Sequence, residues 1–474
     1  MLLGNIHILS IIFPLLMGFF SFLIKDKKTE IVNSIFLFLF TLFFIYIIYG
    51  FFQLDLLKGK VYSVVIGGWK KSMGIELKYD IKSALAILSA IIVLMILFIN
   101  NLKSGMSYAF RGFACIMLCG VNGIITTNDI FNAYVFFEII CITTYIIYSH
   151  GENKTCLKNA YNYMILSGFA GVVFLFVASL LYQITGNLNL DIINKSIEPY
   201  YNAKSISAIF VLFILAMMFK LGIYPLHNVI FDIYKNLSIR YLIVVAGLSS
   251  IAYPFFILKF TTNLFGEKVV LNNEYLSFLL KIFGGIGFVF FNSMALSASG
   301  ILKFIIALSF AQTSLFAFCL TYAINKTVLN GLIFGITSHT IIKVCLFALL
   351  YQLQKQVGEL NIKKSLISCI SSRTYKLLFV ILLFLISGMP FSLVFMSKWY
   401  ILVGIFNSNT NVFWLAVIVI GFAIDIFACF MFIKQILIQN DNKVLEIKEN
   451  YLLIFYIIAI VSFLVLFSMF VGKF

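Results

Sequence analysis

Residues 208–227 read AIFVLFILAMMFKLGIYPLH, and residues 377–401 read LLFVILLFLISGMPFSLVFMSKWYI. Each is a long apolar run in which one lysine, Lys220 or Lys398, lies close to a helix-breaking Gly and Pro. A lysine at membrane depth costs free energy unless it faces a cavity or a counter-charge, so it indicates a functional site. Broken helices are tolerated at that depth only where protein or water covers the freed backbone. Two such runs in corresponding places of one chain predict a transporter built from internal repeats.

The composition of the chain is that of a polytopic membrane protein. Of its 474 residues, 62% are hydrophobic and 11% are charged, and no soluble domain could cover so much apolar surface. Apolar runs of ~20 residues, enough to cross a ~30 Å hydrocarbon core, recur along the sequence. They predict an all-α polytopic membrane protein with about fourteen transmembrane helices, of which helices 7 and 12 are broken. The predicted spans are approximately 4–24, 31–52, 81–100, 106–125, 129–149, 157–184, 205–225, 241–262, 275–296, 301–323, 327–352, 375–401, 411–436 and 450–471.

The net charge of +16 reflects topology and does not indicate nucleic acid as a partner. Lys and Arg concentrate in short loops that fourteen helices would put on one side of the bilayer. The positive-inside rule makes that side cytoplasmic, so both termini are predicted on the outer side. The first segment lacks a small-residue cleavage site and is expected to be a retained helix. We therefore predict a multi-pass protein of a prokaryotic-type plasma membrane.

The sequence predicts no cofactor and no metal site. It has no Gly-rich nucleotide loop, no Fe–S cysteine run and no haem-attachment motif. Its cysteines lie mostly in apolar segments and are expected to be small buried hydrophobes. They are Cys115, Cys119, Cys141, Cys156, Cys319, Cys345, Cys369 and Cys429.

Glu138, Lys220 and Lys398 are the first candidates for a proton path. Glu138 is either a protonated acid bonded to a neighbouring helix or one half of a switchable pair with a buried lysine, and the second is favoured because intramembrane acids mark ion pathways. Lys220 either snorkels to the interface or acts as a relay where the helix unwinds. The position beside the predicted breaks favours the relay for both lysines. The predicted breaks are Gly222, Pro225, Gly388 and Pro390.

Four further ionisable residues lie in or beside apolar segments. His339 and Lys343 share one helix face, and a histidine titrates near working pH, which favours a proton-path role over that of a satisfied core residue. His227 follows the first break and is equally compatible with an entry path and with a loop. Asp425 lies well inside its helix and could pair with a base on another helix.

Residues 127–139, TNDIFNAYVFFEI, resemble the fifth-helix signature of antiporter-like membrane subunits. Such subunits occur in Mrp-type cation/proton antiporters, respiratory complex I and membrane-bound hydrogenases. The segment 67–80, with GGW, GIEL and YD, is similar to the one before the third helix in the Mrp D-type subunits. KLGIYPLH at 220–227, the segment 338–343 and the segment 388–398 match that family in order and spacing. The resemblance covers nearly the whole chain.

The resemblance implies both a fold and site residues. The chain would be a single membrane domain (1–474) with N-terminal helices 1–3 (1–105), inverted five-helix repeats at 106–262 and 275–436, and a last helix at 450–474. Glu138 and Lys220 would pair in the first half-channel, His339 and Lys343 would belong to a central hydrophilic axis, and Lys398 would be the relay of the second half-channel. Protons would pass among these groups and bound water.

One departure from the family affects the first half-channel. The family usually has a lysine in helix eight, within a run resembling AGLLTKVG. Here Ile251 stands at that place, so a relay base is absent. Ser249 and Ser250, with water and Lys343, are the candidates that could bridge the gap.

The leading hypothesis is a proton-translocating subunit of a multi-subunit complex, either a cation/proton antiporter or a redox-driven pump. Its expected partners are other membrane subunits, protons and monovalent cations, the lipid bilayer and, in a redox pump, peripheral Fe–S subunits. The alternative is a diverged, non-conducting structural subunit, which the loss at Ile251 motivates. An enzyme with its own quinone or metal site has no supporting motif.

Overall fold

The computed structural model describes residues 6–24, 29–102, 105–150, 154–200, 204–264, 274–357, 372–408, 411–438 and 449–471. The helices are α1 (Ile6–Ile24), α2 (Thr29–Gln53), α3 (Ile81–Asn100), α4 (Tyr108–Thr126), α5 (Ile130–Ser149), α6 (Lys154–Thr185), α7 (Leu190–Ile197), α8 (Lys204–Leu221), α9 (Asn228–Asn236), α10 (Ile239–Lys259), α11 (Glu274–Leu296), α12 (Ile301–Cys319), α13 (Lys326–Val357), α14 (Arg373–Ile386), α15 (Leu393–Phe406), α16 (Val412–Ile438) and α17 (Tyr451–Val471). Strands β1 (Tyr62–Val65) and β2 (Glu76–Tyr79) form an antiparallel hairpin.

The number of apolar helices confirms the predicted class of fold. Within the described ranges, 13 helices are long and apolar enough to cross a membrane. The predicted span at 375–401 consists instead of α14 and α15, each of 14 residues. The hairpin, α7 and α9 were not predicted, because they are short and only partly apolar. The chain is therefore an all-α polytopic membrane protein with one small hairpin outside the spans.

The first helix break lies between α8 and α9. Helix α8 ends at Leu221, four residues before the end of the predicted span. Gly222 follows with φ +66°, a left-handed conformation that costs glycine nothing but strains other residues. The proline ring of Pro225 removes a backbone donor, and the chain resumes a helix only at Asn228. The predicted break at Gly222 and Pro225 is confirmed.

The second helix break lies between α14 and α15. Gly388 has φ +78°, and Phe391, one residue after Pro390, has φ +69°. Helix α15 then begins under a Ser392 cap, whose hydroxyl accepts a 3.0 Å hydrogen bond from the backbone N–H of Phe395. Serine is among the preferred N-cap residues because it satisfies a donor that the first turn leaves free. The predicted break at Gly388 and Pro390 is also confirmed.

Asp80 and Asp129 are the N-cap residues of α3 and α5. The Asp80 carboxylate accepts a 2.8 Å hydrogen bond from the Ser83 N–H, and the Asp80 N–H donates one to the Ser83 hydroxyl in return. Asp129 caps α5 through a 2.8 Å bond from the Asn132 N–H. Such caps fix where a helix starts, and the second sets the register of α5 and thus the position of Glu138.

The helices pack into two compact units. The first contains Met1–Leu221 and Val244–Phe278, and the second contains Gly222–Ile243 and Leu279–Phe474. In the first unit, Gly112 of α4 lets the Phe22 ring of α1 lie against its backbone. In the second, the Ser397 hydroxyl of α15 donates a 2.6 Å hydrogen bond to the Gly331 carbonyl of α13. Small residues at these crossings allow close backbone approach, as is usual between transmembrane helices.

Candidate functional site

Lys220 lies at the end of α8, beside the first break, and its side chain is buried with 4% exposure. Its ammonium donates hydrogen bonds to Sγ of Cys141 at 2.9 Å, to Oη of Tyr163 at 3.5 Å and to the hydroxyl of Ser167. Cys141 belongs to α5, whereas Tyr163 and Ser167 lie one turn apart on α6. Three helices of the first unit therefore meet at this ammonium group.

Aromatic rings complete the surroundings of the Lys220 ammonium. Nζ lies 4.9 Å from the centroids of the Phe137 and Tyr163 rings and 5.7 Å from that of Tyr253 on α10. Cation–π attraction of this kind stabilises a desolvated ammonium. We call Phe137, Cys141, Tyr163, Ser167 and Tyr253 the Lys220 cage. None of these side chains is charged as long as its thiol or hydroxyl group, where it has one, is protonated. The cage therefore solvates the Lys220 ammonium without providing a counter-charge.

Glu138 lies next to the cage but outside it. Its carboxylate is within electrostatic range of the Lys220 ammonium. No direct ion pair joins the two side chains in the part of the chain that the structure describes. The carboxylate lies instead against α6 at Gly171, where an added Cβ would collide with Oε1. The Glu–Lys pair that the family resemblance implies therefore stays a prediction, with the two charges close but separated.

His227 belongs to the aromatic part of the second unit. Its ring stacks on Tyr224 with centroids 5.8 Å apart and meets the Phe291 ring edge-on at 4.8 Å. It precedes α9 directly. Whether it serves as an entry path is still a prediction.

Lys398 and Asp425 form an ion pair inside the second unit. Nζ of Lys398 lies 2.6 Å from Oδ2 of Asp425, on α16, and also donates to the Ser387 carbonyl at 2.7 Å. That carbonyl is freed by the second break, because α14 has ended at Ile386. The ring of Phe422 covers the ammonium at 5.1 Å. Asp425 thus has the partner base that the sequence alone did not identify.

Gly388 makes room for this ion pair. A Cβ added at Gly388 would lie 3.0 Å from Cδ and 3.3 Å from Nζ of Lys398. Gly388 also has a positive φ. Glycine is therefore favoured at this position both for its backbone conformation and for its lack of a side chain. The second break therefore supplies a hydrogen-bond acceptor and space to the same lysine.

His339 and Lys343 are buried on α13, with 6% and 1% exposure. They are four residues apart and so lie on one helix face. His339 is within electrostatic range of both Lys343 and Lys398. Three of the predicted proton-path residues thus lie in the second unit with Asp425, and His339 is near both of the lysines among them.

Ser249 and Ser250 lie on α10 beside Ile251, where the family resemblance implies a base. Their hydroxyls each donate a 2.6 Å hydrogen bond to the carbonyl four residues earlier, that of Val245 or Ala246. Such bonds within the helix are common for serine in apolar helices. Ile251 itself is fully buried. The bridging role proposed for the two serines stays a prediction.

A polar network at the hairpin was missed by the sequence analysis. The buried Glu76 carboxylate of β2 accepts hydrogen bonds from Asn128 at 2.9 Å and Asn189 at 2.8 Å, and Lys71 lies 2.7 Å from its other oxygen. The backbone N–H of Asn128 also bonds the Glu76 carbonyl at 2.8 Å. Glu76 therefore joins the hairpin to the start of α5 and the start of α7. The only sequence signal was an acid in a polar segment, which usually indicates a solvated loop.

The network holds Glu76 ionised. Burial on its own would raise the pKa of this carboxyl, but hydrogen bonds from Lys71, Asn189 and Asn128 outweigh it and lower the pKa from 4.5 to about 2. A second pair beside it links Lys78 to Asp191 of α7, with Nζ 2.6 Å from Oδ1. Both pairs lie outside the membrane-spanning helices, where they fix the loops that precede α3 and α5.

Lys259 was also missed. At the end of α10, its ammonium donates a 3.1 Å hydrogen bond to the Ile125 carbonyl and another to the Thr127 carbonyl. Carbonyls at a helix C-terminus lack partners within the helix and attract cations. Lys259 therefore provides a hydrogen-bond donor for the carbonyl groups at the C-terminal end of α4.

The cysteines of the described residues are buried thiols. Seven cysteines are free and buried, as predicted, and Cys369 lies outside the described residues. Cys141 is more than a small hydrophobe, since its sulfur accepts a hydrogen bond from Lys220. Across the described ranges, no group of three or more His, Cys, Asp or Glu side chains could hold a metal ion.

Both the sequence and the fold of the chain are similar to those of known membrane subunits. A family model described as NADH:quinone oxidoreductase/Mrp antiporter, TM, matches residues 127–423. The D-type subunit of the Na(+)/H(+) antiporter of Alkalihalophilus pseudofirmus is 24% identical over 366 residues, which cover 76% of this chain and 73% of the relative. The region matched by the family model includes α5, both helix breaks and part of α16.

Two solved structures share the fold. A chain of the membrane-bound sulfane sulfur reductase, an archaeal respiratory membrane complex, superposes with a TM-score of 0.85 at 22% identity, covering 99% of this chain and 96% of that one. A chain of the Mrp complex from Dietzia sp. DQ12-45-1b superposes with a TM-score of 0.81 at 16% identity, covering 93% and 81%. At such identities the likeness concerns the fold.

Proposed function

The chain belongs to the NADH:quinone oxidoreductase/Mrp antiporter transmembrane family, and we propose that it is a proton-translocating membrane subunit of a multi-subunit complex. That complex is either a cation/proton antiporter of the Mrp type or a redox-driven pump whose redox centres lie on other chains. The Na(+)/H(+) antiporter relative supports the first, and the respiratory complex that contains a chain of the same fold supports the second.

One observation carries the proposal. Each of the two helix breaks has a buried lysine beside it, Lys220 at the first and Lys398 at the second. A buried ammonium at a broken transmembrane helix costs free energy, and a purely structural subunit would gain nothing from it. It has a use where protons are passed on, because a lysine can release and regain a proton at a fixed place.

The predicted roles follow the grouping of the residues. In the first unit Glu138 and Lys220 act in a first half-channel, with their charges near each other but not in contact. In the second unit Lys398 and Asp425 form the second half-channel, and His339 and Lys343 belong to the central axis. These half-channels would lie in two inverted five-helix repeats, at 106–262 and 275–436.

The proposed function implies particular partners and a particular membrane. The chain would sit in a prokaryotic-type plasma membrane beside other membrane subunits, with both termini on the outer side. Protons and monovalent cations would be transported, and peripheral Fe–S subunits would be present if the complex is redox-driven. The chain itself would carry no cofactor.

Paired measurements test this function. The tagged complex, isolated in a gentle detergent, is identified by mass spectrometry, and proton flux is followed in vesicles with a pH-sensitive dye. We expect Lys220→Ala and Glu138→Ala each to abolish flux while the complex still assembles. Wild-type flux in both variants would rule out the assigned first half-channel. Co-purified Fe–S subunits would identify a redox pump, and small membrane subunits alone would identify an antiporter.

A non-conducting structural subunit is the second candidate, because this chain has Ile251 where the family resemblance implies a base. The variant Ile251→Lys separates the two. If the chain is structural, the wild-type complex has no flux that depends on it, and the added base changes nothing or restores part of an impaired path. Under the leading proposal, wild-type flux is robust and depends on Lys220.

A further inference from the structure

Tyr253, on α10, is buried and has its ring on the side of Lys220. It is 2% exposed, and its ring meets the Phe137 ring edge-on at 5.8 Å. Its hydroxyl lies 3.9 Å from Sγ of Cys141, within hydrogen-bonding distance of the sulfur, and it is also close to the hydroxyl of Tyr163. Both of these groups accept hydrogen bonds from Lys220. A continuous set of hydrogen bonds thus leads from the ammonium on α8 to a hydroxyl on α10.

Tyr253 and Ile251 lie on different faces of α10. Residues two apart in an α-helix are turned by about 200° from each other. The Tyr253 ring faces Lys220, and Ile251, where the family resemblance implies a base, is directed away from it. The hydroxyl is therefore placed to take a proton from the Lys220 side even though α10 offers no charged group at residue 251.

We propose that Tyr163 and Tyr253 carry the proton of Lys220 to helix α10, with Tyr253 as the last protein group in this segment of the path. This inference rests on the proposed function. Packing alone accounts for the ring of Tyr253, since phenylalanine would fill the same space. It does not account for a hydroxyl that is buried near a cation, in contact with the Cys141 sulfur on α5 and close to the hydroxyl of a second tyrosine on α6.

The step conserves protons and involves no electron transfer. An N–H bond of the Lys220 ammonium breaks as an O–H bond forms at Tyr163, and the original hydroxyl proton of Tyr163 passes to Tyr253. Tyr253 releases its own proton to a water molecule on the α10 side. Lys220 becomes a neutral amine, and each tyrosine ends with one hydroxyl proton. The thiol of Cys141 touches the same two partners and offers a weaker parallel route.

The test uses Tyr253→Phe in the intact complex, with proton flux measured in vesicles under the driving gradient or electron transfer of that complex. We expect flux to fall by about tenfold or more, because a positioned proton-transfer group contributes about 10²-fold or more in rate. Tyr163→Phe should have a smaller effect, since Cys141 still bridges Lys220 to Tyr253. Tyr182→Phe is the matched control, because Tyr182 lies on the same helix as Tyr163 and is 51% exposed.

The outcomes separate this inference from the proposed function. If Lys220→Ala abolishes flux and Tyr253→Phe retains the wild-type rate, the relay is overturned and the proposed function stands. If Lys220→Ala itself keeps wild-type flux, the proposed function fails and the relay fails with it. Loss of flux in Tyr253→Phe, with Tyr182→Phe unchanged and the complex assembled, supports the relay.

A second variant distinguishes a relay from a packing role and applies even if Tyr253→Phe impairs assembly. A difluorotyrosine at residue 253 keeps the ring and the hydroxyl but makes the phenol more acidic than its ordinary pKa of about 10. If the hydroxyl carries the proton, the alkaline limit of flux moves to lower pH. An unchanged pH profile in an assembled complex overturns the proposal.

Discussion

Lys398 and Asp425 lie on helices α15 and α16 and form a direct ion pair of 2.6 Å. Both side chains are largely buried, with exposures of 10% and 12%. The desolvation of two charges is offset here by their mutual attraction and by a third group, the Ser387 carbonyl, which accepts from Lys398. The pair therefore depends on both partners and on the helix break that exposes the carbonyl.

Asp425→Asn should both destabilise the chain and impair transport. Removing one partner of a buried pair leaves the other charge uncompensated and costs about 3 kcal/mol in the free energy of unfolding. Thermal melting of the purified protein measures the first effect, and vesicle flux measures the second. The double variant Lys398→Met with Asp425→Leu should restore the melting temperature without restoring flux. A double variant with normal flux would mean that the pair has no part in the proton path.

Gly171→Ala should lower flux by displacing Glu138. The added methyl group would overlap Oε1 of Glu138, so the carboxylate must move away from α6. The measurement is proton flux at equal amounts of assembled complex. Gly168→Ala provides the control on the same helix, because nothing lies within 4 Å of a Cβ at that position. Equal flux in the two variants would show that the position of the Glu138 carboxylate is unimportant.

Phe391→Gly should stabilise the second helix break. Phe391 has φ +69°, a conformation that costs an L-residue about 1–2 kcal/mol and glycine very little. Its ring is 71% exposed, so few contacts are lost, although part of the gain is offset by the greater chain entropy of glycine. We expect a rise in melting temperature relative to Phe391→Ala, which removes the ring but keeps the strain. A lower melting temperature than that of the alanine variant would contradict the strained backbone.

Glu76→Gln should weaken the docking of the hairpin in a pH-dependent way. The folded pKa of Glu76 is lowered to about 2, so its ionised form contributes stability above the unfolded value of 4.5 and loses it as the pH falls towards 2. The stability difference between wild type and variant should be constant from about pH 7 to about pH 5 and shrink below that. Hydrogen exchange of residues 62–79 at several pH values measures it. A difference that persists unchanged near the folded pKa would contradict this prediction.

The parts of the fold that sequence could predict are those with strong local signals. Long apolar runs predicted the spans, and glycine with proline predicted both breaks, because these residues act on the backbone where they stand. The hairpin and α7 were missed since they are short and are held by long-range contacts such as that of Glu76 with Asn189. The charged site was only partly predictable. Lys220 and Lys398 are conspicuous in apolar runs, but nothing local links Asp425 to a lysine 27 residues away.

The residues of the Lys220 cage show most clearly what could not be predicted from the sequence. Tyr163, Ser167 and Tyr253 are ordinary residues of apolar helices, and their role is visible only when α6, α8 and α10 are brought together. Cys141 was assigned to the core for the same reason. Glu138 and Cys141 are three residues apart on α5, so a helical wheel places them on neighbouring faces but indicates no contact with Lys220.

The two buried lysines differ in whether a counter-charge is in direct contact with the ammonium group. Protonated Lys220 touches only neutral groups of its cage, with Glu138 outside the cage, whereas Lys398 touches the carboxylate of Asp425 directly. Departure of a proton from each lysine leaves the Lys220 cage neutral and leaves Asp425 without its counter-charge. A monovalent cation arriving in exchange for that proton would restore neutrality beside Asp425, but it would only add charge to the Lys220 cage.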